Sequence, residues 1–273
     1  MKTFTKMMVS LAAVAAALSC GPKKEAQKVL VLYYSQTGNT KAVADEIAAK
    51  LGADMEEIVA LKPYDGDFQA TIDRCLEERA SGTLPEIQPL QADLNAYDII
   101  FLGYPVWFGT YAPPVISLLS QVDLSGKKVV PFCSFGSGGL DSSTRDLKAA
   151  QPEADVLPGY GVRAARAAAI GKEVDYFLKS NGFLEGEFVQ LEEFPEQHPA
   201  NEEETAIFDA AVDGYPMLHA QAKSVAFRSV PDGVEYLFTA LDQPREEGAP
   251  ARELKVYVLA EEGQAPVFTQ VLR

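Results

Sequence analysis

Six consecutive residues, Ser35, Gln36, Thr37, Gly38, Asn39 and Thr40, carry hydroxyls, amides and a single glycine, with no cation until Lys41. They follow the apolar run Val29-Leu30-Val31-Leu32 and precede a helix-like stretch. Main-chain N–H groups at a helix N-terminus, joined by hydroxyls and an amide, can satisfy the oxygens of one phosphate without a counter-ion. The stretch lacks both Gly-x-Gly-x-x-Gly and the Gly-x-x-x-x-Gly-Lys-Ser/Thr of a nucleotide triphosphate loop, so it suits a terminal monophosphate. A polar turn capped by Thr40 or Asn39 would need only one such residue.

Two later stretches have a compatible chemistry. Gly103-Tyr104-Pro105-Val106-Trp107-Phe108-Gly109-Thr110-Tyr111-Ala112-Pro113-Pro114 holds the only tryptophan of the chain and three further aromatic rings. Rings in a loop can lie against a flat ligand, or close a sheet edge or an interface. Phe132-Cys133-Ser134-Phe135-Gly136-Ser137-Gly138-Gly139 places three glycines in four residues, which lets main chain approach a ligand edge closely. His198 and His219 are the only histidines and both lie late in the chain. No Ser-His-Asp triad or His-rich metal site can therefore be assembled in the first part, and no catalytic side chain or metal ligand is expected.

The elements that must position these loops are legible as an alternation. Strand-like runs at Lys28–Tyr34, Met55–Leu61, Tyr97–Gly103, Lys127–Ser134 and Asp155–Leu157 are mostly continuous in apolar character, as for strands covered on both faces. Amphipathic stretches at Thr40–Leu51, Phe68–Ala80, Pro114–Gln121, Ser142–Ala150 and Lys172–Ser180 separate or follow them. This order predicts an α/β fold with a five-stranded parallel sheet and right-handed crossovers. Beyond Gly182-Phe183-Leu184-Glu185-Gly186 and the Glu/Pro-rich stretch Glu192–Pro199 the pattern changes. One helix, Asn201–Val212 with Asn201 as N-cap, precedes strands at Lys223–Val230, Val234–Leu241, Glu253–Ala260 and Pro266–Leu272, with a turn at Pro231-Asp232-Gly233. We expect a first domain over 28–182 and a second, small α+β domain over 183–273, one helix on an antiparallel meander.

The three loops, in this order after the first, third and fourth strands, resemble the flavodoxin family. Ser35–Thr40 is similar to its Thr/Ser-x-Thr-Gly-Asn-Thr phosphate loop, and "YDIIFLGYPVWFG" and "GKKVVPFCS" to its next two signatures, in the branch with Pro-x-Trp. The resemblance covers about residues 28–182. It implies a flavodoxin-like, doubly wound five-stranded sheet binding FMN. By position, Ser35, Gln36, Thr37, Gly38, Asn39 and Thr40 would hold the phosphate. Pro105, Val106, Trp107, Phe108 and Gly109 would line one side of the isoalloxazine, with Trp107 as stacking ring. Ser134, Phe135, Gly136, Ser137, Gly138 and Gly139 would line the other. The third loop departs from the pattern Thr-x-Gly-Gly-Ser-Gly, because Ser137 and Gly138 are exchanged.

The function this resemblance implies is that of an FMN-binding electron carrier working between semiquinone and hydroquinone. Alternatives are an FMN-dependent NAD(P)H:quinone or nitro reductase, or a flavin-free binding or structural module. The second domain resembles the cystatin-like fold through "VAFRSVPDGVEYLF". It has Arg228-Ser229-Val230-Pro231-Asp232 where the inhibitory Gln-x-Val-x-Gly pattern would stand, which argues against protease inhibition and for a docking platform.

The first 20 residues read as an export signal: Lys2 and Lys6, an apolar run from Met7 to Leu18, then Ser19-Cys20. The run is too short for a bilayer span of about 20 residues. Ala17-Leu18-Ser19-Cys20 is similar to a bacterial lipobox, implying lipidation of Cys20, a polar tether over 21–27, and anchorage facing the periplasm or the cell surface. Cys75 and Cys133 remain, with pairing and burial both open. The formal charge is −15; residues 21–182 carry 16 basic and 21 acidic side chains, residues 183–273 carry 6 and 18. Such a surface repels nucleic acid and anionic headgroups, leaving a quinone, or a redox partner protein with a basic docking face.

Overall fold

The computed structural model describes residues 27–64, 67–242 and 251–273. The export signal, Cys20 and nearly all of the tether lie outside the described residues. The first part runs β1 (Val29–Tyr33), α1 (Asn39–Leu51), β2 (Asp54–Glu57), α2 (Phe68–Ser81), β3 (Ile99–Trp107), β4 (Thr110–Tyr111), α3 (Pro113–Leu119), β5 (Lys128–Phe135), α4 (Leu140–Ala150), β6 (Asp155–Val156), β7 (Tyr160–Arg163) and α5 (Ile170–Ser180). The strands are parallel in the order β2-β1-β3-β5, with β6 and β7 sharing the fifth position beside β5 and β4 folding back antiparallel on β3. The chain leaves β1 toward β2 and returns on the other side to β3, so the order reverses there. In open sheets that is where ligands bind, outside the carboxyl ends of the strands.

Two-sided burial explains the continuous apolar runs. Leu30, Leu32, Ile100, Leu102 and Val129 face one core with Val115, Leu118 and Leu147 from α3 and α4. Val31, Phe101, Val130 and Phe132 face the other with Val43 and Ile47 of α1 and Val174 and Leu178 of α5. Each such side chain contributes roughly 1.5–3 kcal/mol of burial. Cys75 and Cys133 are buried in the first of these cores and unpaired.

Among the differences from the sequence expectation, two lie at the edges of this sheet. At the sheet edge β2 is confined to Asp54–Glu57 and is largely exposed, while Ala60 makes only a single bridge to Ile87. The fifth strand, expected at Asp155–Leu157, stops at Val156 and resumes as β7. Pro158 follows the stop, and a side chain on Gly159 would lie 2.4 Å from the Pro131 carbonyl oxygen, so the strand steps out of the ladder where β5 also has a proline.

The second part runs β8 (His198–Pro199), α6 (Glu202–Val212), β9 (Ala220–Val230), β10 (Gly233–Asp242), β11 (Arg252–Glu261) and β12 (Val267–Leu272), an antiparallel sheet in the order β12-β11-β10-β9-β8. Phe208 of α6 packs with Val225, Phe238, Val256, Phe268 and Val271 on one face. Asn201 and Glu204 form a capping box, each side chain meeting the other's main-chain N–H at 2.9 Å. The Glu/Pro-rich stretch crosses the opposite face. There Gln197 donates to the Leu237 carbonyl and accepts from Ser224 and Thr239, and Arg228 donates to the Glu192 carbonyl with its guanidinium 4.3 Å from the Phe194 ring. No helix among the described residues is long and apolar enough to cross a membrane.

Candidate functional site

β1, β3 and β5 are neighbours in the sheet, so the loops at their carboxyl ends meet. In the first loop, Gly38 takes a left-handed conformation (φ 86°) and starts the 13-residue α1 with no side-chain cap and no acid in the first turn. Among the described residues, the main-chain N–H groups of residues 35–40 have no protein acceptor. Ser35 Oγ accepts from the Lys41 N–H at 3.2 Å, and Asn39 Nδ2 donates to Thr37 Oγ1 at 3.0 Å. The Lys41 ammonium is held by both oxygens of Asp45, at 2.6 and 2.7 Å. The loop therefore offers neutral donors, aligned with the positive end of a helix dipole. Gln36 turns away from this cluster and donates to the Tyr64 carbonyl at 2.7 Å and Thr71 Oγ1 at 2.8 Å, fixing the loop to α2. Thr40 is buried, with Oγ1 2.8 Å from Ser134 Oγ, so the first and third loops share one hydrogen bond.

In the second loop, Pro105 stands beside Ser134 in the parallel register, and Val106 and Trp107 pair with Tyr111 and Thr110. The Trp107 ring meets Tyr34 edge-on at 5.9 Å and Tyr64 at 5.2 Å. Phe108 is 48% exposed at the tip, with Gly109 following it. It is the one non-glycine residue with positive φ (52°) among the described residues. Such strain concentrates at ligand-binding loops and switches. Burial raises the phenols of Tyr34, Tyr64 and Tyr104 above their ordinary range, so each stays a neutral group.

In the third loop, Ser134 and Phe135 are buried at the end of β5, and the chain then emerges through Gly136–Gly139. Its last two glycines face opposite ways. A side chain on Gly139 would lie 2.5 Å from Val106 of the second loop; one on Gly138 would lie 2.3 Å from the Val271 carbonyl oxygen of β12. Ser142 Oγ, just beyond, donates to the Gly109 carbonyl and ties the second loop to α4. The exchange of Ser137 and Gly138 relative to the family pattern has a local cause, since a serine at 138 would collide with β12.

The sequence offered no sign of Tyr64, Thr71, Arg163 or Val271 in this region. Tyr64 comes from the β2–α2 connection, Thr71 from the first turn of α2, and Arg163 from the half of the fifth strand that periodicity missed. Elsewhere, a cleft of about 810 Å³ runs between α5 and the second sheet. Its charges are already matched: Arg166 and Tyr160 bind Glu173, and Lys172 pairs with Asp232 and Glu261. No group of three or more His, Cys, Asp or Glu that could hold a metal ion occurs among the described residues.

A sequence model of the flavodoxin family matches residues 28–173, more than half of the chain. A Bacteroides eggerthii protein assigned as a flavoprotein is 26% identical, with 57% of this chain and 98% of that one covered and a TM-score of 0.51. A similar assignment from Bacteroides uniformis is 26% identical over 55% and 98%, at a TM-score of 0.48. A Lactobacillus acidophilus flavoprotein, solved in complex with FMN, is 28% identical over 54% and 98%, at a TM-score of 0.46. With a parallel sheet of the expected order, three converging loops and a family match spanning the whole of that sheet, this chain belongs to the flavodoxin family.

Proposed function

We propose that the protein is an exported, FMN-binding electron carrier, held at a membrane by lipidated Cys20. The observation that carries the cofactor is the donor set of residues 35–40: main-chain N–H groups without protein acceptors, backed by hydroxyls and without a carboxylate in the first helical turn. That set fits a phosphate monoester. When bound, FMN supplies one- and two-electron redox chemistry, while the chain supplies binding, orientation and electrostatics.

Ser35, Thr37 and Asn39 would hold the phosphate beside the helix N-terminus. Residues 105–109 and 134–139 would bracket the flat ring, where Trp107 is braced by Tyr34 and Tyr64 and Phe108 is presented outward. Lys41, the cation at the end of the first loop, is matched by Asp45, and the neutral phenols of Tyr34 and Tyr64 add no charge. The acidic surface, −15 overall, favours a partner with a basic face and disfavours added negative charge on the ring. The carrier reading predicts that FMN-loaded protein exchanges electrons rapidly with a small basic haem protein, with a rate that falls as salt rises. It also predicts no sustained NAD(P)H consumption. Steady NAD(P)H oxidation in the presence of quinone would overturn the carrier in favour of a reductase.

A further inference from the structure

We infer that the second domain is a working part of the flavin site: β12 and Arg163 hold the third loop in the shape that receives the ring. This rests on the FMN reading above and extends it to β12, which lies outside the family match. Residues 136–138 are met by the second domain at each position. Arg163 Nε donates to the Gly136 carbonyl at 2.8 Å, while its Nη1 donates to the Phe268 carbonyl at 2.9 Å. The same guanidinium lies 3.4 Å from the Phe268 ring centroid, so one half-buried side chain staples the loop to β12. The Val271 N–H donates to the Ser137 carbonyl at 2.6 Å, and Arg273 Nη1 reaches Ser137 Oγ at 3.3 Å. Gly138 packs flat against the Val271 carbonyl, and the Tyr215 hydroxyl lies beside Gly136.

β12 is the edge strand of its sheet, paired only with β11. The third loop takes up an outward N–H of that edge, which would otherwise be an open template. The loop is thus a thin layer, with β12 on the side that Gly138 faces and Val106 on the side that Gly139 faces. A glycine-rich loop without such support samples many conformations, and each must be lost on binding. Contacts from β12 remove that freedom beforehand and leave the face toward the second loop for the ring. Arg163 and Val271 are positioning residues in this account.

The test uses the full chain and two variants, Val271→Pro and Arg163→Gln. Proline removes the outward N–H without breaking the β11 ladder, and an edge strand tolerates it there. Arg163→Gln leaves the core of the second domain intact, and Arg163→Lys restores one donor and the charge. Hydrogen exchange without added FMN reads the loop itself. Protection of residues 135–139 should fall roughly tenfold in both variants, with β1 and α1 unchanged. FMN titration should then show roughly tenfold weaker binding and an altered visible band shape, partly recovered in Arg163→Lys. Unchanged protection of the loop would overturn the inference whatever FMN does. Looser protection with unchanged affinity and band shape would overturn it too. If the wild-type chain binds no FMN, the functional reading fails while the exchange experiment still decides whether β12 holds the loop.

Discussion

The loops after β1 and β5 are both short, hydroxyl-bearing and glycine-containing, yet they are organised by opposite means. The first is fixed from within a few residues: Gly38 turns the chain, α1 begins at once, and the donors point outward with no protein acceptor. The third also ends on a turning glycine, Gly139, whose carbonyl starts α4, but its middle, residues 136–138, takes its shape from Arg163 and from β12 and Arg273, more than 100 residues away in sequence. A phosphate site needs only a helix end and small polar groups, which a continuous stretch can supply. A surface for a flat ring needs main chain brought close and kept there, which a glycine-rich stretch cannot do alone.

The largest effect that would sharpen this contrast comes from charge in the first loop. Asn39→Asp places a carboxylate among the phosphate donors, and we expect FMN affinity to fall on the order of a hundredfold while riboflavin, which has no phosphate, loses little. Parallel titrations with both flavins check it; equal losses would break the division of labour between the loops. Next comes the bond that joins them. Thr40→Val removes the partner of buried Ser134 and should destabilise the fold by about 1–3 kcal/mol in a denaturant melt, with Thr40→Ser nearly neutral.

The second loop gives a smaller and opposite signature. Phe108→Gly relieves the positive φ, so the melting temperature should hold or rise slightly while FMN binding weakens several-fold. A parallel loss of both would mean that Phe108 is structural.

Legibility in the sequence divides along the same line. The donors of the first loop, the strand alternation and the position of the aromatic loop could be read, because each depends on residue type over a short span. The half-strand β7 could not, because Pro158 and Gly159 look like an end and the strand resumes only against β5. Nor could the role of Gly138, whose constraint is a carbonyl of β12. The end of the Glu/Pro-rich stretch Glu192–Pro199 carried no strand signal, yet His198–Pro199 pairs with β9; that the stretch covers one face of the second sheet rests on Phe194 and Gln197, whose partners lie on other strands.

The smallest expected effect concerns pH and separates the two parts of the chain. Burial works to raise the Glu204 carboxyl, but the Asn201 N–H and His198 outweigh it and hold the group below its ordinary range. A depressed folded-state pKa contributes stability above the unfolded value, near 4.3, that is lost as pH falls through the folded one. Protection of the α6 amides, taken relative to their intrinsic exchange rate, should therefore fall below about pH 4. Glu204→Gln keeps the capping geometry and should flatten that dependence. In the first part, hydrogen bonds from Lys179 and Lys50 hold Asp175 down, so a similar but separate acid response is expected where α1 meets α5.

The most direct test of the phosphate and ring assignments is a visible-absorption titration of the purified protein with FMN and with riboflavin, with Trp107 fluorescence recorded in parallel. We expect one FMN per chain, quenching of Trp107, and markedly weaker binding of riboflavin. No spectral change with FMN, or equal affinity for the two flavins, would contradict the assignment of residues 35–40 as the phosphate site.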